Sequence, residues 1–391
     1  MENIKLPISV GIIVDDVGWH KGADERYINL PARSGLPRNH HPDDVRALNE
    51  IGRALNTKII CSLVLAEWDK NNILRGVKNV TPDPDLWDAA GELDEEYAKE
   101  YFKALEESEY LDYSLHGLFH SYYEDDGKLN TARQYYPNEK NERGEVVGYR
   151  WLSPERFDEM ISLFFSIYND WGFKKKITQF VSPCGCWGTD KSEGNIEYAK
   201  VLRKYGIKYW SNGWVDLEKR LGVAEGIMTV KGANITAWNA YDVDPDYLQT
   251  ILEQEPSEPI YPYYCGHLTN FIRFDYQKNF EYTEKWAEYF RRYTSSFGTA
   301  PARNVDEACS QLAYAENARI TKDGDVYKID LTGADKLGAV GLLDEFLVSF
   351  KGSPSPKLLT NGAEIELYDE KSTHTTFKIR RGGASIIEIK L

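Results

Sequence analysis

A short apolar run that ends in two adjacent carboxylates is the feature that most constrains the fold. Residues 10–14 are Val-Gly-Ile-Ile-Val, and Asp15 and Asp16 follow directly. Continuous β-branched residues are typical of a strand buried on both faces, as in a parallel α/β sheet or barrel. In such folds the active site is assembled at the C-terminal ends of the strands. The sequence therefore predicts an α/β domain with Asp15 and Asp16 at its functional edge.

Strand-like runs alternate with helical patterns throughout residues 1–316. The helical spacing of residues 43–55 separates the first strand from a second apolar run at residues 57–65, which implies a right-handed parallel crossover. Residues 121–150 are charged and Tyr-rich, and we predict that they form an excursion beside the site. This alternation is typical of a (β/α) barrel or an open doubly wound sheet. We predict a distorted (β/α) barrel of parallel strands over residues 1–316.

The pattern changes at residue 317. From there, short alternating β runs are separated by three pairs that favour tight turns: Asp323-Gly324, Asn361-Gly362 and Gly382-Gly383. We therefore predict that residues 317–391 form a small β-sandwich accessory domain.

The formal net charge of -15 argues against polyanionic partners. Nucleic acids and anionic membrane surfaces recruit Lys and Arg, so we expect no nucleic-acid partner and no membrane partner. A neutral or cationic substrate fits better. The 10 Trp and 26 Tyr suit a carbohydrate cleft, because flat rings stack on apolar sugar faces, although most of them will be core residues.

The N-terminus, the apolar runs and the cysteines indicate the cellular compartment. No run approaches the roughly 18 apolar residues of a membrane span, and the N-terminus lacks the basic-then-apolar pattern of a signal peptide. The five cysteines are an odd number spread along the chain, which fits a reducing compartment better than a disulfide framework. Cys184 and Cys186 are too close together for a zinc knuckle. We expect a cytoplasmic protein, with a removed leader as the alternative.

Two histidines supply candidate metal ligands. Residues 110–115 have a strand pattern, and His116 and His120 follow it. Adjacent carboxylates repel each other, and a cation held with two imidazoles would relieve that repulsion. The pattern therefore indicates a divalent metal site. The alternative is that Asp15 and Asp16 cap the next element and that the histidines are incidental.

These motifs resemble those of the polysaccharide deacetylases, carbohydrate esterase family 4, and their divergent relatives. The resemblance covers residues 8–275 and rests on Asp15-Asp16, His116-x3-His120, the loop around Pro183 and the late segment Gly266-His267-Leu268. It implies a barrel domain that removes an acyl group, most simply acetyl, from a carbohydrate. It also implies a divalent metal. We expect zinc, with cobalt or nickel as alternatives, because a mixed imidazole and carboxylate set suits several metals.

The resemblance implies a role for each site residue. Asp16, His116 and His120 would be the metal ligands. Asp15 would be the base that takes a proton from the metal-bound water, and His267 would be the general acid. The substrate-binding residues would be Pro183, Cys184, Trp187 and Trp214, with the backbone N–H of Cys184 donating to the oxyanion.

The chain departs from the family pattern before its Pro-containing loop. The family usually has an Arg there that holds the base carboxylate, whereas Val181 and Ser182 precede Pro183 in this chain. The resemblance therefore does not assign a residue that orients Asp15. The family's fourth motif is an Asp near a Trp that pairs with that Arg. In this chain it is only suggested by Trp214 and Asp216.

Two other functions fit parts of the sequence. A glycosidase-like barrel would use paired carboxylates such as Asp15 and Glu67, which follows the second strand. A glycan-binding protein without catalytic activity would keep the barrel as a scaffold. The missing Arg and the appended β domain favour that alternative.

Metal content separates these three hypotheses. For the deacetylase we expect the purified protein to bind a divalent ion, and its activity to be lost when a chelator removes that ion and restored by zinc or cobalt. Elemental analysis and an acetate-release assay measure both. Cleavage of a glycosidic bond that survives chelators would instead favour the glycosidase, and absence of any bindable ion would favour the glycan-binding protein.

Overall fold

The computed structural model describes residues 4–18, 38–183, 193–211, 220–231, 233–234, 253, 255, 261–295 and 297–391. The helices in this part of the chain are α1 (Pro42–Leu55), α2 (Ala89–Glu92), α3 (Glu95–Glu107), α4 (Pro154–Asp170), α5 (Glu193–Lys204), α6 (Leu268–Phe271), α7 (Asn279–Ser295), α8 (Val305–Asn317) and α9 (Thr332–Asp335). Short 3-10 turns cover Ala66–Trp68 and Tyr276–Lys278. Across the described residues, no helix is both long enough and apolar enough to cross a bilayer.

The strands divide into three groups along the chain. The first group is β1 (Ile4–Lys5), β2 (Gly11–Val17), β3 (Ile59–Val64), β4 (Leu111–Gly117), β5 (Tyr122–Tyr123), β6 (Leu129–Thr131), β7 (Asn138–Lys140) and β8 (Val146–Tyr149). The second is β9 (Gln179–Val181), β10 (Tyr209–Ser211), β11 (Leu221–Ala224), β12 (Ile227–Val230), β13 (Ala233–Asn234) and β14 (Tyr263–His267). The third is β15 (Arg319–Asp323), β16 (Val326–Asp330), β17 (Glu345–Lys351), β18 (Lys357–Leu358), β19 (Glu364–Glu370), β20 (His374–Arg380) and β21 (Ile386–Lys390).

One large sheet organises the first two groups. Its described strands run in the order β11-β12-β10-β9-β4-β3-β2-β14-β13. Every neighbouring pair is parallel except β11 and β12. The predicted α/β class with a parallel sheet is therefore confirmed. Because the strands are parallel, the carboxyl ends of β2, β4, β9 and β14 lie along one edge.

Burial on both faces explains why these strands carry continuous apolar runs. All six residues of β3 are buried, and so are the four residues that open β2. Helix α1 covers the sheet with one apolar face, which includes Val45, Leu48 and Ile51. Its start is fixed by Pro42 in the first turn and by a capping box between His41 and Asp44. The predicted helix over residues 43–55 thus agrees with the structure to within one residue.

Residues 121–150 form two small hairpins, β5 with β6 and β7 with β8. They leave the large sheet at the end of β4 and return to α4. The sequence pattern indicated an excursion here but not its hairpins. The strands β11, β12 and β13 were not predicted either.

The last part of the chain forms two four-stranded antiparallel sheets, in the orders β1-β17-β20-β19 and β15-β16-β21-β18. Both sheets contribute to one apolar cluster, in which Ile329 and Ile387 meet Phe346 and Val348. Gly324, at a predicted turn between β15 and β16, has a φ of 60°, which a glycine adopts without steric cost. Strand β1 pairs with β17, so the N-terminal Ile4–Lys5 belongs to a C-terminal sheet.

The buried strand β2 should be the most sensitive part of the sheet. Ile13 is fully buried in it, so we expect Ile13→Ala to lower the free energy of unfolding by about 2–5 kcal/mol through lost burial and a cavity. Ile386 is 40% exposed in β21. The matched change Ile386→Ala should cost about 1 kcal/mol or less. Denaturant unfolding of both variants measures the difference, and equal losses would show that β2 is not a core strand.

Candidate metal centre

Asp15 and Asp16 lie near the C-terminal end of strand β2, where its conformation is irregular. The pairing of β2 with β3 shifts in register between Val14 and Val17, and Asp16 has a φ of 62°. In a regular strand, successive side chains point to opposite faces. The shift breaks that alternation, so that both carboxylates act on the same group of imidazoles. Asp16 is 3% exposed.

His116 is a buried residue of β4, and β3 lies between β4 and β2 in the sheet. Its Nδ1 lies 2.7 Å from the backbone carbonyl of Val181 at the end of β9. A carbonyl accepts, so Nδ1 carries the proton and Nε2 keeps a free lone pair. That Nε2 lies 3.6 Å from Asp16 Oδ1.

His120 follows β4 in a turn and is also buried. It has a φ of 64°, so two of the predicted metal ligands, Asp16 and His120, have left-handed backbone conformations. Such conformations are costly and concentrate at functional sites. Here the turn brings His120 Nε2 to within 3.8 Å of Asp16 Oδ1.

His267 ends strand β14, which is paired with β2 so that His267 lies opposite Asp15. Its Nε2 lies 3.9 Å from Asp16 Oδ2, and its side chain is 22% exposed. Its backbone N–H donates to Asn270 Oδ1 at 2.8 Å, which fixes the start of α6. His267 thus joins the group from a different strand and from the more open side.

Burial favours the neutral form of these imidazoles. It lowers the pKa of His116, against the opposing effects of the Asp15 carboxylate and the Val181 carbonyl. Burial lowers the pKa of His120 well below its usual value, and the imidazoles of His116 and His267 lower it further. Burial also lowers the pKa of His267, which the Asp15 carboxylate opposes. A neutral imidazole is the form that binds a metal ion.

The donor set fits a divalent cation. The ligand atoms of Asp16, His116 and His120 all lie within 4.8 Å of one another, in the one such group that the described residues form. The distances from Asp16 Oδ1 to the two Nε2 atoms are too long for hydrogen bonds. Ligand atoms bound about 2.1 Å from one tetrahedral ion lie roughly 3.4 Å apart. Two imidazoles and one carboxylate are also a donor set of catalytic zinc sites.

Val181 and Ser182 stand where the family has its Arg, and both make hydrogen bonds of their own. The carbonyl of Val181 orients His116, and the Ser182 hydroxyl accepts from Trp210 Nε1 at 2.7 Å. Asp15 Oδ1 has no hydrogen-bond partner within the described part of the chain. The role of Val181 was missed from the sequence because a backbone carbonyl leaves no trace in residue type.

The remaining candidates fall in different places. Pro183 is buried directly after β9, at the same edge as the metal ligands. Glu67, the second carboxylate of the alternative glycosidase, is buried in the 3-10 turn after β3. The other predicted substrate-binding residues, Cys184, Trp187 and Trp214, lie outside the described residues, as does Asp216.

Comparison with known proteins bears on the fold. No protein-family model matches the chain, and no curated protein matches it in sequence. The crystal structure of Agd3, a novel carbohydrate deacetylase, is similar with a TM-score of 0.52 at 10% identity over 98% of this chain. This chain shares the fold of Agd3.

The similarity confirms the predicted resemblance at the level of the fold. The chain spans slightly less than two-thirds of Agd3, since the match covers 65% of that protein. A putative polysaccharide deacetylase from Mycobacterium smegmatis gives a TM-score of 0.32 at 10% identity, with 63% of this chain and 68% of that chain covered. The fold similarity therefore rests on the comparison with Agd3.

The lowered pKa values of the imidazoles make the stability of this fold depend on pH. In the unfolded chain, histidine takes up a proton near pH 6.5, whereas in the folded chain burial holds the pKa values of His116, His120 and His267 lower. The unfolded state therefore binds more protons below about pH 6.5, and folding becomes less favourable as the pH falls. We expect the free energy of unfolding of the metal-free protein to drop by at most about 1.4 kcal/mol per pH unit for each imidazole.

Denaturant unfolding of metal-free protein between about pH 5.5 and pH 8 measures this slope around the histidine range. The variant His120→Gln lacks one of the three groups and should give a flatter curve. The same slope in the variant and the wild type would contradict a lowered pKa at His120.

Proposed function

We propose that this protein is a metal-dependent hydrolase that removes an acetyl group from a carbohydrate. The observation that carries the proposal is the buried convergence of Asp16, His116 and His120, with Asp15 and His267 beside them at the carboxyl edge of a parallel sheet. The deacetylase fold agrees with it.

Asp16, His116 and His120 would hold the cation, which we propose to be zinc, with cobalt or nickel as alternatives. A divalent ion at this place supplies a Lewis acid that polarises a carbonyl oxygen and makes water a nucleophile near neutral pH. The carbonyl of Val181 supports the ligand set, because it fixes the proton of His116 on Nδ1.

Asp15 is proposed as the base. Burial lowers the pKa of His116 and of His267, and the Asp15 carboxylate opposes that lowering at both, so its charge acts within the same group of side chains. During hydrolysis the water oxygen bonds to the acetyl carbon while Asp15 Oδ accepts the proton that the water gives up.

His267 is proposed as the acid. When the bond from the acetyl carbon to the sugar nitrogen or oxygen breaks, the protonated His267 gives its proton to the leaving atom, so that acetate and a free amine or hydroxyl result. Burial lowers the pKa of His267, and the Asp15 carboxylate opposes that effect, so its charge supports the protonated form that this step uses. Once Asp15 has accepted its proton, that charge is neutralised, and His267 becomes the stronger acid that the second step requires.

We also propose the domain organisation that the sequence predicts. Residues 1–316 would form the distorted barrel that carries the site, and residues 317–391 would form a small β-sandwich. The apolar cluster shared by the two four-stranded sheets supports the sandwich, and the pairing of β1 with β17 would tie it to the barrel.

The adjacent carboxylates allow a matched test of the proposed roles. We expect Asp15→Asn to bind zinc as the wild type does but to lower kcat by about 100- to 10,000-fold, because a base is lost. We expect Asp16→Asn to weaken zinc binding itself. Zinc titration and acetate release from a panel of N-acetylated and O-acetylated oligosaccharides measure the two effects. Wild-type kcat in Asp15→Asn would rule out its role as base.

A further inference from the structure

The turn that carries His120 needs support from outside itself. His120 has a φ of 64° directly after Phe119, and its side chain must point from this strained backbone towards Asp16. A left-handed conformation at a non-glycine residue persists only where the surrounding structure holds it. The contacts of residues 117–120, which we call the ligand turn, therefore decide where His120 lies.

Gln134 holds the ligand turn at two points. It comes from the excursion, between β6 and β7, and is fully buried. Its backbone N–H donates to the carbonyl of His120 at 3.1 Å. Its side-chain Oε1 accepts from the backbone N–H of Leu118 at 2.8 Å. One residue thus contacts the turn on both sides of Phe119.

Two further features help to hold the ligand turn. A Cβ at Gly117 would lie 2.5 Å from Gln134 Oε1, so the glycine that ends β4 leaves the space that the Gln134 amide occupies. In addition, the backbone N–H of Ala66 donates to the carbonyl of Leu118 at 2.8 Å. The ligand turn is therefore held both by the 3-10 turn after β3 and by Gln134.

We propose that Gln134 is a positioning residue, which holds the ligand turn so that His120 Nε2 faces Asp16. The excursion of residues 121–150 thereby acts on the metal centre through the backbone, without supplying a ligand. This inference rests on the proposed function, since it requires His120 to bind the cation. Groups that orient a metal ligand typically change metal affinity when they are removed.

The chain offers a matched control in Gln311 on α8. This second buried glutamine also accepts from a backbone N–H through Oε1, that of Leu347 at 2.7 Å. Its Nε2 donates to the carbonyls of Leu347 and Pro7. Gln311 therefore supports the C-terminal sheet in the way that Gln134 supports the ligand turn. A purely structural role would make the two glutamines equivalent in every measurement.

The experiment compares Gln134→Met with Gln311→Met in the full chain. Methionine keeps the approximate length of glutamine and removes its acceptor. We expect both variants to unfold at lower denaturant concentration. Only Gln134→Met should weaken zinc binding to the metal-free protein, by about 10- to 100-fold, as titration against a chromophoric chelator measures. Gly117→Ala, which displaces the Gln134 amide, should weaken zinc binding in the same direction.

The outcomes separate this inference from the proposed function. If the wild type binds zinc and Gln134→Met binds it equally tightly, Gln134 does not position His120, while the proposed function stands. If the wild type binds no divalent ion, the proposed function fails and the inference fails with it. If Gln134→Met does not fold, Gln134→Asn, whose amide is one methylene too short to reach Leu118, is judged by the same criteria.

Discussion

The interruption of strand β2 at Asp15 and Asp16 is the constraint on which the site depends. A regular strand would send these carboxylates to opposite faces of the sheet, and at most one of them would reach the imidazoles. The left-handed backbone of Asp16 and the register shift against β3 remove that alternation. As a result, one carboxylate lies 3.6 Å from His116 while the other acts on His116 and His267 by its charge. The proposed base and the proposed ligand can therefore come from neighbouring residues.

The second requirement is that the imidazoles stay neutral and correctly oriented. Burial favours the neutral form of His116 and His120, because desolvation disfavours the charged form. Hydrogen bonds orient the imidazoles, since the Val181 carbonyl fixes one tautomer of His116, and Gln134 holds the turn of His120 through its backbone N–H and its side-chain Oε1. These contacts come from β9 and from the excursion, which are separate in sequence. Groups on other segments thus orient the imidazoles from outside the strand β4 and its following turn.

The large parallel sheet and the C-terminal sheets are joined by more than chain connectivity. Strand β1 crosses from the N-terminus into the sheet of β17, and Gln311 on α8 bonds the backbone of Leu347 in that strand. The sequence pattern of residues 1–316 contained no sign of this pairing. A strand of two residues is too short to show a period, and a single buried glutamine looks like any other polar residue.

Local pattern was sufficient for the parts of this protein that depend on burial alone. The apolar runs of β2, β3 and β4 predicted buried parallel strands, and parallel strands in turn predicted that Asp16, His116 and His120 would meet at one edge. The sequence also carried the glycine turns of the last sheets. Only the tertiary structure decided how the carboxylates turn, which imidazole nitrogen is free, and that Gln134 reaches the ligand turn. These features depend on backbone dihedrals and on hydrogen bonds of main-chain groups between distant segments. Residue types alone do not specify either of them.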